Sequence, residues 1–335
     1  MSKVAVLGAG GWGIAASILL DYNKHQVSLW EFDRSDFEKL SKNRRRIDKL
    51  PQARILRSIK ITNDLKEALV GSEYICLALP SHIVRKVARK IALHLSDRVI
   101  VVNLAKGIEN KTLCRMSEVL VQELPERICP NITTLSGPSH AEEVARKMPT
   151  TVVVAGFQKE ITQKVQRLFI NEFFRVYTHH DLIGVELGGS LKNIIAIASG
   201  ICDGLGLGDN TKGALISRGL AEMIRLGEKL GADAKTFAGL SGVGDLITTC
   251  FSKYSRNRYV GEQIGKGKKL KEVLSGMTMV AEGVKTTKSA YHLSKKHQVE
   301  MPITDKVYRV LYKDKPAKTG LMELMTRQPK SEIWS

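Results

Sequence analysis

The feature that most constrains the fold is a glycine-rich segment between two short β-prone runs. Residues 8–13 read GAGGWG; they follow an apolar run at residues 4–7 and precede a helical stretch at residues 14–20 and a second β-prone run at residues 27–30. Strand, G-x-G-x-x-G, helix and strand in this spacing predict a dinucleotide-binding βαβ unit. Gly8 allows the tight turn, Gly10 lets the backbone approach a pyrophosphate, and Gly13 lets the helix pack close to the sheet.

The same segment also has the composition of a secretory signal, because residues 4–20 are mostly apolar and follow Lys3. Four glycines interrupt that run and further α/β pattern follows it, which favours the βαβ unit. No other stretch reaches the roughly 18 uninterrupted apolar residues that a membrane span needs. We therefore expect no integral membrane association.

Apolar β-prone runs and helical patterns alternate through the first half of the chain. Continuous apolar strands separated by helices are typical of a parallel sheet covered on both faces. The predicted strands are residues 4–7, 27–30, 59–62, 74–79, 99–102, 132–135, 151–155 and 174–177. We expect a Rossmann-type, doubly wound α/β domain over residues 1–185.

From about residue 181 the pattern is helical. The predicted helices of this half are residues 182–201, 212–230, 246–250, 258–264, 270–274 and 286–295. A length of 335 residues allows about two domains. We expect an all-α second domain over residues 186–335, packed closely on the first with a site between them, because no low-complexity linker separates the two.

The five cysteines are scattered and form no CxxC pair. This favours reduced thiols in the cytoplasm over a disulfide framework or a zinc site. The eight histidines show no metal-binding spacing, so we predict no metal.

The net charge of +18 would suit nucleic acid, an anionic membrane surface or anionic small ligands. The basic residues are dispersed apart from residues 44–46 and 266–269. Aromatic residues do not alternate with them as stacking platforms would. We interpret the charge as solvated surface that partly serves phosphate-bearing ligands, and we predict no nucleic-acid partner.

Two segments follow predicted strands at the sheet edge where ligands bind in open parallel sheets. Lys106, beside Gly107, lies where a cation could meet a phosphate or a substrate oxygen, and the alternative is a surface lysine in a loop. After a later strand, Ser139 is a good helix N-cap with Glu142 three residues on. The alternative there is that Gly137 and Ser139 hydrogen-bond a polyol.

A lysine inside an otherwise apolar helical stretch is the strongest feature of the second half. Lys192 is costly there unless it is paired or functional, and Gly188 would leave room for a ligand on the same face. Partial desolvation near another cation would lower the lysine pKa toward use as a base. The alternative is a surface lysine that extends to solvent.

Two further helix starts carry charge. Asp245 follows a glycine turn, where it would cap a helix or pair with a catalytic lysine. Ser255 is a second predicted N-cap, and Arg256 follows it. An anion bound there would meet helix N–H groups and a guanidinium together.

These motifs occur together and in order. They are Gly8-x-Gly10-x-Trp12-Gly13, Pro80-Ser81-His82, Ala105-Lys106-Gly107, Ser136-Gly137-Pro138-Ser139, Gly188-Gly189-Ser190-Leu191-Lys192-Asn193, Gly242-x-Gly244-Asp245-Leu246 and Ser255-Arg256-Asn257-Arg258. The chain resembles the soluble, bacterial-type NAD(P)-dependent glycerol-3-phosphate dehydrogenases over residues 3 to about 315. The resemblance implies a helical domain similar to that of 6-phosphogluconate dehydrogenase, and a cytoplasmic homodimer that supplies glycerol 3-phosphate for phospholipid synthesis.

The resemblance and the motifs together imply residue roles. Lys192 would accept the proton of the substrate hydroxyl, Lys106 would contact cofactor and substrate, and Asp245 would orient Lys192. Dihydroxyacetone phosphate or glycerol 3-phosphate would bind at Lys106, Gly137, Ser139, Lys192, Asn193, Asp245, Ser255, Arg256 and Asn257. NAD or NADP would bind at Gly8, Gly10, Gly11, Trp12, Gly13, Glu31, Phe32, Lys106, Ala141, Arg256, Val280 and Glu282.

The chain departs from that family at the end of the second strand. Many bacterial members have a small residue and then Arg or His, which can meet the 2′-phosphate of NADP, where this chain has Glu31 and Phe32. Glu31 lies near where an acidic side chain accepts hydrogen bonds from the adenosine ribose, and it would repel a 2′-phosphate. Phe32 could stack on adenine. We predict a preference for NADH, whereas Arg34 or the run at residues 44–46 would support use of both cofactors.

Two other classes of protein fit parts of the sequence. A related hydroxy-acid or 6-phosphogluconate-type dehydrogenase would share the domain order but should lack the Ser-Arg-Asn-Arg segment at residues 255–258. A non-catalytic, redox-sensing nucleic-acid binder would use the +18 charge. It would need no Lys192 and should carry its basic residues on one face.

Overall fold

The first half of the chain forms one eight-stranded sheet in a computed structural model that describes residues 1–329 and 331–332. The strand order is β3-β2-β1-β4-β5-β6-β7-β8. The strands are β1 (Lys3–Leu7), β2 (Gln26–Trp30), β3 (Lys60–Thr62), β4 (Tyr74–Leu77), β5 (Ile100–Asn103), β6 (Ile132–Ser136), β7 (Thr150–Gly156) and β8 (Phe174–His179). Each predicted strand is present within two residues of its expected bounds, and the Rossmann-type class is confirmed.

One expectation about strand direction is wrong. Strands β1 to β6 pair in parallel, but β7 runs antiparallel to β6, and β8 is parallel to β7. The helix between β6 and β7, α6 (Ala141–Val144), is a single turn. A parallel crossover needs a longer element to return the chain along the sheet, so the chain enters β7 in the opposite direction.

Helices cover both faces of the sheet. Besides α6 they are α1 (Gly11–Tyr22), α2 (Arg34–Asn43), α3 (Leu65–Leu69), α4 (Ser81–Ala92), α5 (Met116–Glu123) and α7 (Lys159–Phe169). Successive residues of β1 alternate between two apolar cores: Val4 and Val6 belong to one core, and Ala5 and Leu7 to the other. This is the alternation expected of a strand buried on both faces.

The second half of the chain packs around a long central helix. Its helices are α8 (Leu182–Gly204), α9 (Asp209–Lys229), α10 (Asp245–Phe251), α11 (Arg256–Gly265), α12 (Leu270–Ser275), α13 (Glu282–Lys296), α14 (Pro302–Tyr312) and α15 (Ala317–Met325). The last two were not predicted, although Pro302 in the first turn of α14 is a usable start signal. In the described part of the chain, α8 alone has the length and hydropathy of a membrane span, and 94% of that window is buried inside the protein.

Helix α8 also contacts the sheet. The buried Glu186 carboxylate accepts hydrogen bonds from the Ser117 backbone N–H (2.8 Å), the Ser117 hydroxyl (2.6 Å) and Arg115 Nη1 (2.7 Å) at the start of α5. The Thr134 hydroxyl in β6 donates a fourth bond. These bonds hold the first turns of α8 against the sheet, so residues later in α8 have a defined position relative to the strand ends.

Glycines set the distance between α8 and α11. Gly200 and Gly204 lie on α8, and Gly261 and Gly265 lie on α11. A Cβ on Gly261 would lie 1.9 Å from the Ile197 carbonyl oxygen, closer than two such atoms can approach. The two backbones are therefore in direct contact, and the start of α11 is fixed against α8.

We expect Gly261→Ala to lower the free energy of unfolding by about 2–3 kcal/mol, because the added methyl group must push α11 away from α8. Gly213→Ala is the matched control, since Gly213 is inside α9 and a Cβ there would meet nothing within 4 Å. That variant should be neutral or more stable by up to about 1 kcal/mol. Urea unfolding followed by circular dichroism measures both, and equal stability of the two variants would contradict the packing argument.

Candidate active site

A cleft of about 450 Å³ lies between the sheet and the helical half. The predicted residues along its lining are Gly8, Gly10, Gly11, Trp12, Glu31, Phe32, Lys106, Ser139, Ala141, Lys192, Asn193, Asp245, Ser255, Arg256, Asn257, Val280 and Glu282. Two predicted residues, Gly13 and Gly137, are buried and lie outside that lining. The fold therefore brings almost the whole predicted set to one place.

The glycine-rich turn has the geometry that a dinucleotide needs. Gly8 has a φ of +110°, and a Cβ there would lie 2.6 Å from the Ala78 carbonyl oxygen. A Cβ on Gly13 would lie 1.8 Å from the Gly8 carbonyl oxygen, whereas one on Gly10 would meet nothing within 4 Å. Helix α1 starts at Gly11 without a side-chain cap, so its first N–H groups are available to a phosphate. The turn fits NAD or NADP.

Two lysines share one buried carboxylate in the cleft. Asp245 is 2% exposed; its Oδ1 accepts a 2.8 Å hydrogen bond from Lys192 Nζ, and its Oδ2 accepts a 2.6 Å bond from Lys106 Nζ. Lys192 lies in the middle of α8, Asp245 begins α10, and Lys106 follows β5. The expected alternative of Asp245 as a helix cap is wrong, because its carboxylate is occupied by the two ammonium groups.

Burial lowers the pKa of Lys192 to about 8, and the nearby Lys106 ammonium adds to this effect, while Asp245 opposes it. Burial alone would raise the pKa of the Asp245 carboxyl, but Lys106 and Lys192 hold it below its usual value. The result is an ionised aspartate beside a lysine that can gain or lose a proton near neutral pH.

Thr249 belongs to this cluster although the motifs assigned it no role. Its hydroxyl contacts Lys192 Nζ and lies 3.3 Å from Asp245 Oδ1. The spacing of four residues between Asp245 and Thr249 on one helix face could have indicated the contact. The expectation for Gly188 is wrong: a Cβ there would lie 2.7 Å from the Ser241 carbonyl oxygen, so this glycine serves helix packing and leaves no room for a ligand.

The loop after β6 also differs from its predicted local structure. Helix α6 starts after His140, and the Ser139 hydroxyl donates a 3.0 Å bond to the Gly137 carbonyl, which also accepts a 2.9 Å bond from Lys106. The predicted capping box of Ser139 and Glu142 is therefore absent from this loop. His140 lines the same cleft, and burial together with Lys192 lowers its pKa to about 4, so its imidazole is neutral.

The start of α11 presents the predicted anion site. Ser255 is the N-cap, and its hydroxyl accepts a 3.2 Å bond from the Arg258 backbone N–H. Arg256 is exposed to the cleft, and its Nη1 donates a 3.1 Å bond to the Val280 carbonyl, which leaves its other N–H groups available. The Asn257 amide donates a 2.8 Å bond to Asn193 Oδ1, so these two predicted substrate residues are in contact.

Glu282 joins the two halves of the protein across the cleft. Its carboxylate accepts a 3.1 Å bond from the Ser81 backbone N–H and a 2.6 Å bond from the Ser81 hydroxyl. Ser81 begins α4 and Glu282 begins α13. Burial raises the pKa of Glu282, and the bonds from Ser81 oppose that shift.

Glu31 directly follows β2 and lines the cleft next to the glycine-rich turn. Its Oε1 accepts a 3.1 Å bond from the Asp33 backbone N–H, and its Oε2 accepts a 3.2 Å bond from Arg46 Nη1. Arg44 is engaged by the backbone carbonyls of residues 55, 56 and 59, and Arg34 pairs with Glu38. Of the arginines that could have supported NADP, Arg34, Arg44 and Arg46 therefore have partners within the protein, whereas Arg45 is exposed.

All five cysteines are free thiols. Across residues 1–329 and 331–332, no group of three or more His, Cys, Asp or Glu side chains could hold a metal ion.

The fold and this site define a class of protein: an oxidoreductase that uses a nicotinamide dinucleotide. Comparison with known proteins shows which family of this class the chain belongs to. The family descriptions "NAD-dependent glycerol-3-phosphate dehydrogenase N-terminus" and "C-terminus" match residues 3–162 and 181–322. The chain belongs to the NAD-dependent glycerol-3-phosphate dehydrogenase family, as the motifs predicted.

Individual relatives cover essentially the full length. Glycerol-3-phosphate dehydrogenase (NAD(P)+) of Thermoanaerobacter sp. (strain X514) is 51% identical over 99% of both chains. The protein of that name from Bacillus subtilis (strain 168) is 47% identical over 99% of this chain and 96% of its own. The crystal structure of glycerol-3-phosphate dehydrogenase from Coxiella burnetii matches with a TM-score of 0.93 at 35% identity, over 97% of this chain and 99% of that one.

Proposed function

We propose that this protein interconverts dihydroxyacetone phosphate and glycerol 3-phosphate with NAD or NADP. The observation that supports this best is the buried carboxylate of Asp245 between the ammonium groups of Lys192 and Lys106, in the same cleft as the glycine-rich turn. Family membership supports the same reaction.

The bound dinucleotide would supply the hydride for reduction or accept it in oxidation. Lys192, as an ammonium, donates its proton to the alkoxide oxygen that forms at substrate C2; in the reverse direction, neutral Lys192 removes the hydroxyl proton. Asp245 keeps the Lys192 amine oriented through its 2.8 Å bond. Lys106, with its side chain 22% exposed, adds positive charge where the substrate oxygen becomes negative.

The start of α11 suits the substrate phosphate. Arg256 and the uncapped N–H groups of the first helical turn would bind a dianion together, and Ser255 and Asn257 add polar atoms beside it. Gly137 and Ser139 would contact the polyol end of the substrate. A hydroxy-acid dehydrogenase needs no such phosphate site, so the Ser255–Arg258 segment favours the phosphorylated substrate.

We assign residues 1–185 to the dinucleotide-binding domain and residues 186–335 to the substrate domain, of which residues 330 and 333–335 lie outside the described part of the chain. We further propose a cytoplasmic homodimer that supplies glycerol 3-phosphate for phospholipid synthesis, without integral membrane association and without a nucleic-acid partner.

The decisive experiment measures oxidation of NADH and NADPH with dihydroxyacetone phosphate, followed by absorbance. Turnover that depends on both substrates supports the proposal. Turnover of a 2-keto acid, with none of dihydroxyacetone phosphate, would assign the protein to a different dehydrogenase.

We expect weak DNA association, with a Kd of about 10⁻⁴–10⁻⁶ M that rises steeply with salt, because dispersed lysines and arginines bind phosphates without reading sequence. Fluorescence anisotropy with two duplexes of unrelated sequence, at low and physiological salt, measures this. Both duplexes should bind alike. Selective nanomolar binding of one duplex at physiological salt would overturn the interpretation of the +18 charge.

A further inference from the structure

We infer that Arg46 is a positioning residue for cofactor selection: it holds Glu31 at the end of β2, so that the site selects NADH over NADPH. This inference rests on the proposed function, since it concerns the cofactor of the same reaction. It reverses the role that the sequence suggested for Arg46, which was to meet a 2′-phosphate.

The guanidinium of Arg46 is surrounded by carboxylates. It is 5% exposed and contacts Glu31 at 3.2 Å, Asp36 at 2.9 Å and Asp48 at 3.1 Å. Arg46 in turn holds the pKa of the Asp48 carboxyl below its usual value. An arginine with three carboxylate partners is not available to a phosphate. The four side chains of this cluster, three carboxylates and one guanidinium, together carry a net charge of −2.

Arg46 fixes the position of Glu31. Each oxygen of the Glu31 carboxylate accepts one hydrogen bond, from Asp33 N–H or from Arg46 Nη1, and the side chain is 12% exposed. Each oxygen keeps a further lone pair, so a fixed Glu31 can accept hydrogen bonds from ribose hydroxyls. A 2′-phosphate at the same place would meet the Glu31 carboxylate at short range.

Two other cations lie near this corner and give a competing explanation. Lys86 Nζ and Lys90 Nζ lie 5.7 Å and 5.5 Å from the centre of the exposed Phe32 ring, and both line the cleft. Both are solvent-exposed residues of α4. Exposed ammonium groups attract the additional 2′-phosphate of NADPH, but solvent and salt screen that attraction, so we expect these lysines to change the ratio of the two Kd values little.

The test measures the Kd of NADH and NADPH by titration calorimetry without dihydroxyacetone phosphate, so loss of the proposed reaction does not affect the result. The wild-type protein should bind NADH at least about tenfold more tightly than NADPH. Glu31→Gln should weaken NADH binding by about tenfold, since a charged hydrogen-bond acceptor is replaced by a neutral amide that also carries donors. Arg46→Lys keeps the charge but cannot hold three carboxylates, and it should weaken NADH binding by roughly three- to tenfold while changing NADPH binding less.

The double variant Glu31→Gln, Arg46→Lys separates positioning from general destabilisation. If Arg46 acts through Glu31, the double variant binds NADH no more weakly than the weaker single variant. Arg98→Lys is the matched control, because Arg98 is an exposed arginine outside the lining of the cleft and should leave both Kd values unchanged. If Arg46→Lys fails to fold, Asp48→Asn loosens the same guanidinium and should lower the NADH preference by a smaller factor.

Three outcomes would overturn the inference. The first is a wild-type protein that binds NADPH as tightly as NADH. The second is additive loss in the double variant. The third is a selective loss of NADPH binding in the double variant Lys86→Gln, Lys90→Gln. That result would show that these lysines, and not Glu31, determine the cofactor preference.

Discussion

Replacing Lys192 with alanine is expected to lower kcat for dihydroxyacetone phosphate reduction by at least about 100-fold, the scale of general acid–base catalysis. Lys192 is 6% exposed and is bound to Asp245 and Thr249. In the wild-type cluster Asp245 is ionised and His140 is neutral, so neither is a ready proton donor near neutral pH, and Lys106 Nζ is bound to Asp245 and to the Gly137 carbonyl. Steady-state kinetics with saturating cofactor measures the effect.

Lys212→Ala is the control for removing a nearly buried, ion-paired lysine. Lys212 is 8% exposed and pairs with Asp203 at 2.8 Å, outside the cleft. Its loss should leave kcat within about threefold even if stability falls. A folded Lys192→Ala protein with turnover near that of the wild type would reject the assignment.

The direction of the pH dependence follows from the lowered Lys192 pKa. Reduction needs the ammonium form, so its kcat/KM should fall as pH rises through about 8. Oxidation of glycerol 3-phosphate needs the neutral amine, so its kcat/KM should rise through the same pH. If kcat/KM changed with pH in the same sense for reduction and for oxidation, Lys192 could not be the proton donor and acceptor.

Replacing Arg256 with alanine is expected to raise the KM for dihydroxyacetone phosphate by about 10- to 100-fold, the cost of losing hydrogen bonds to a charged group. The guanidinium is exposed to the cleft beside the first turn of α11 and is held by the Val280 carbonyl at 3.1 Å. The KM of Arg256→Lys should lie between those of the wild-type protein and Arg256→Ala, because a lysine ammonium keeps the charge but lacks the planar, two-pronged guanidinium.

A second measurement compares dihydroxyacetone phosphate with unphosphorylated dihydroxyacetone as substrates. Unphosphorylated dihydroxyacetone should be a very poor substrate for the wild-type protein, and Arg256→Ala should narrow the gap between the two ketones. Lys266→Ala removes one positive charge at the other end of α11, where Lys266 pairs with Glu262, and should leave KM unchanged. Equal turnover of the phosphorylated and free ketones by the wild type would place the anion site elsewhere.

Local chemistry explains what the sequence predicted well. Largely apolar runs of four to six residues marked most of the inner strands, because burial on both faces of a sheet requires them. The edge strands β3 and β8 mix polar and apolar residues and are partly exposed. The glycine turn was equally readable, because Gly8 adopts a positive φ that favours glycine and a Cβ on Gly13 would clash with the Gly8 carbonyl five residues earlier. The Ser255 cap of α11 was also correct, for the same reason of short range.

Several features depended on which elements meet in the folded protein. Asp245 lies 53 residues from Lys192 and 139 from Lys106, and nothing near it in the sequence distinguishes a helix cap from the partner of two lysines. Gly188 illustrates the same limit, because the segment that packs against it lies more than 50 residues later in the chain. The reversed direction of β7 depended on the length of α6, a single turn that periodicity does not reveal.

By itself the sequence determined the strands, the dinucleotide turn, the family and most of the proposed site residues, because each of these depends on spacing within a segment or on several motifs in order. Only the tertiary structure decided the surroundings of each charged side chain, that is, whether it is buried and which groups it pairs with. Whether Arg46 faces a ligand or three carboxylates, and whether Lys192 is solvated or buried beside Asp245, depends on burial and on partners from other elements. The energy of a charge is set by the dielectric and the charges around it, which a linear sequence does not contain.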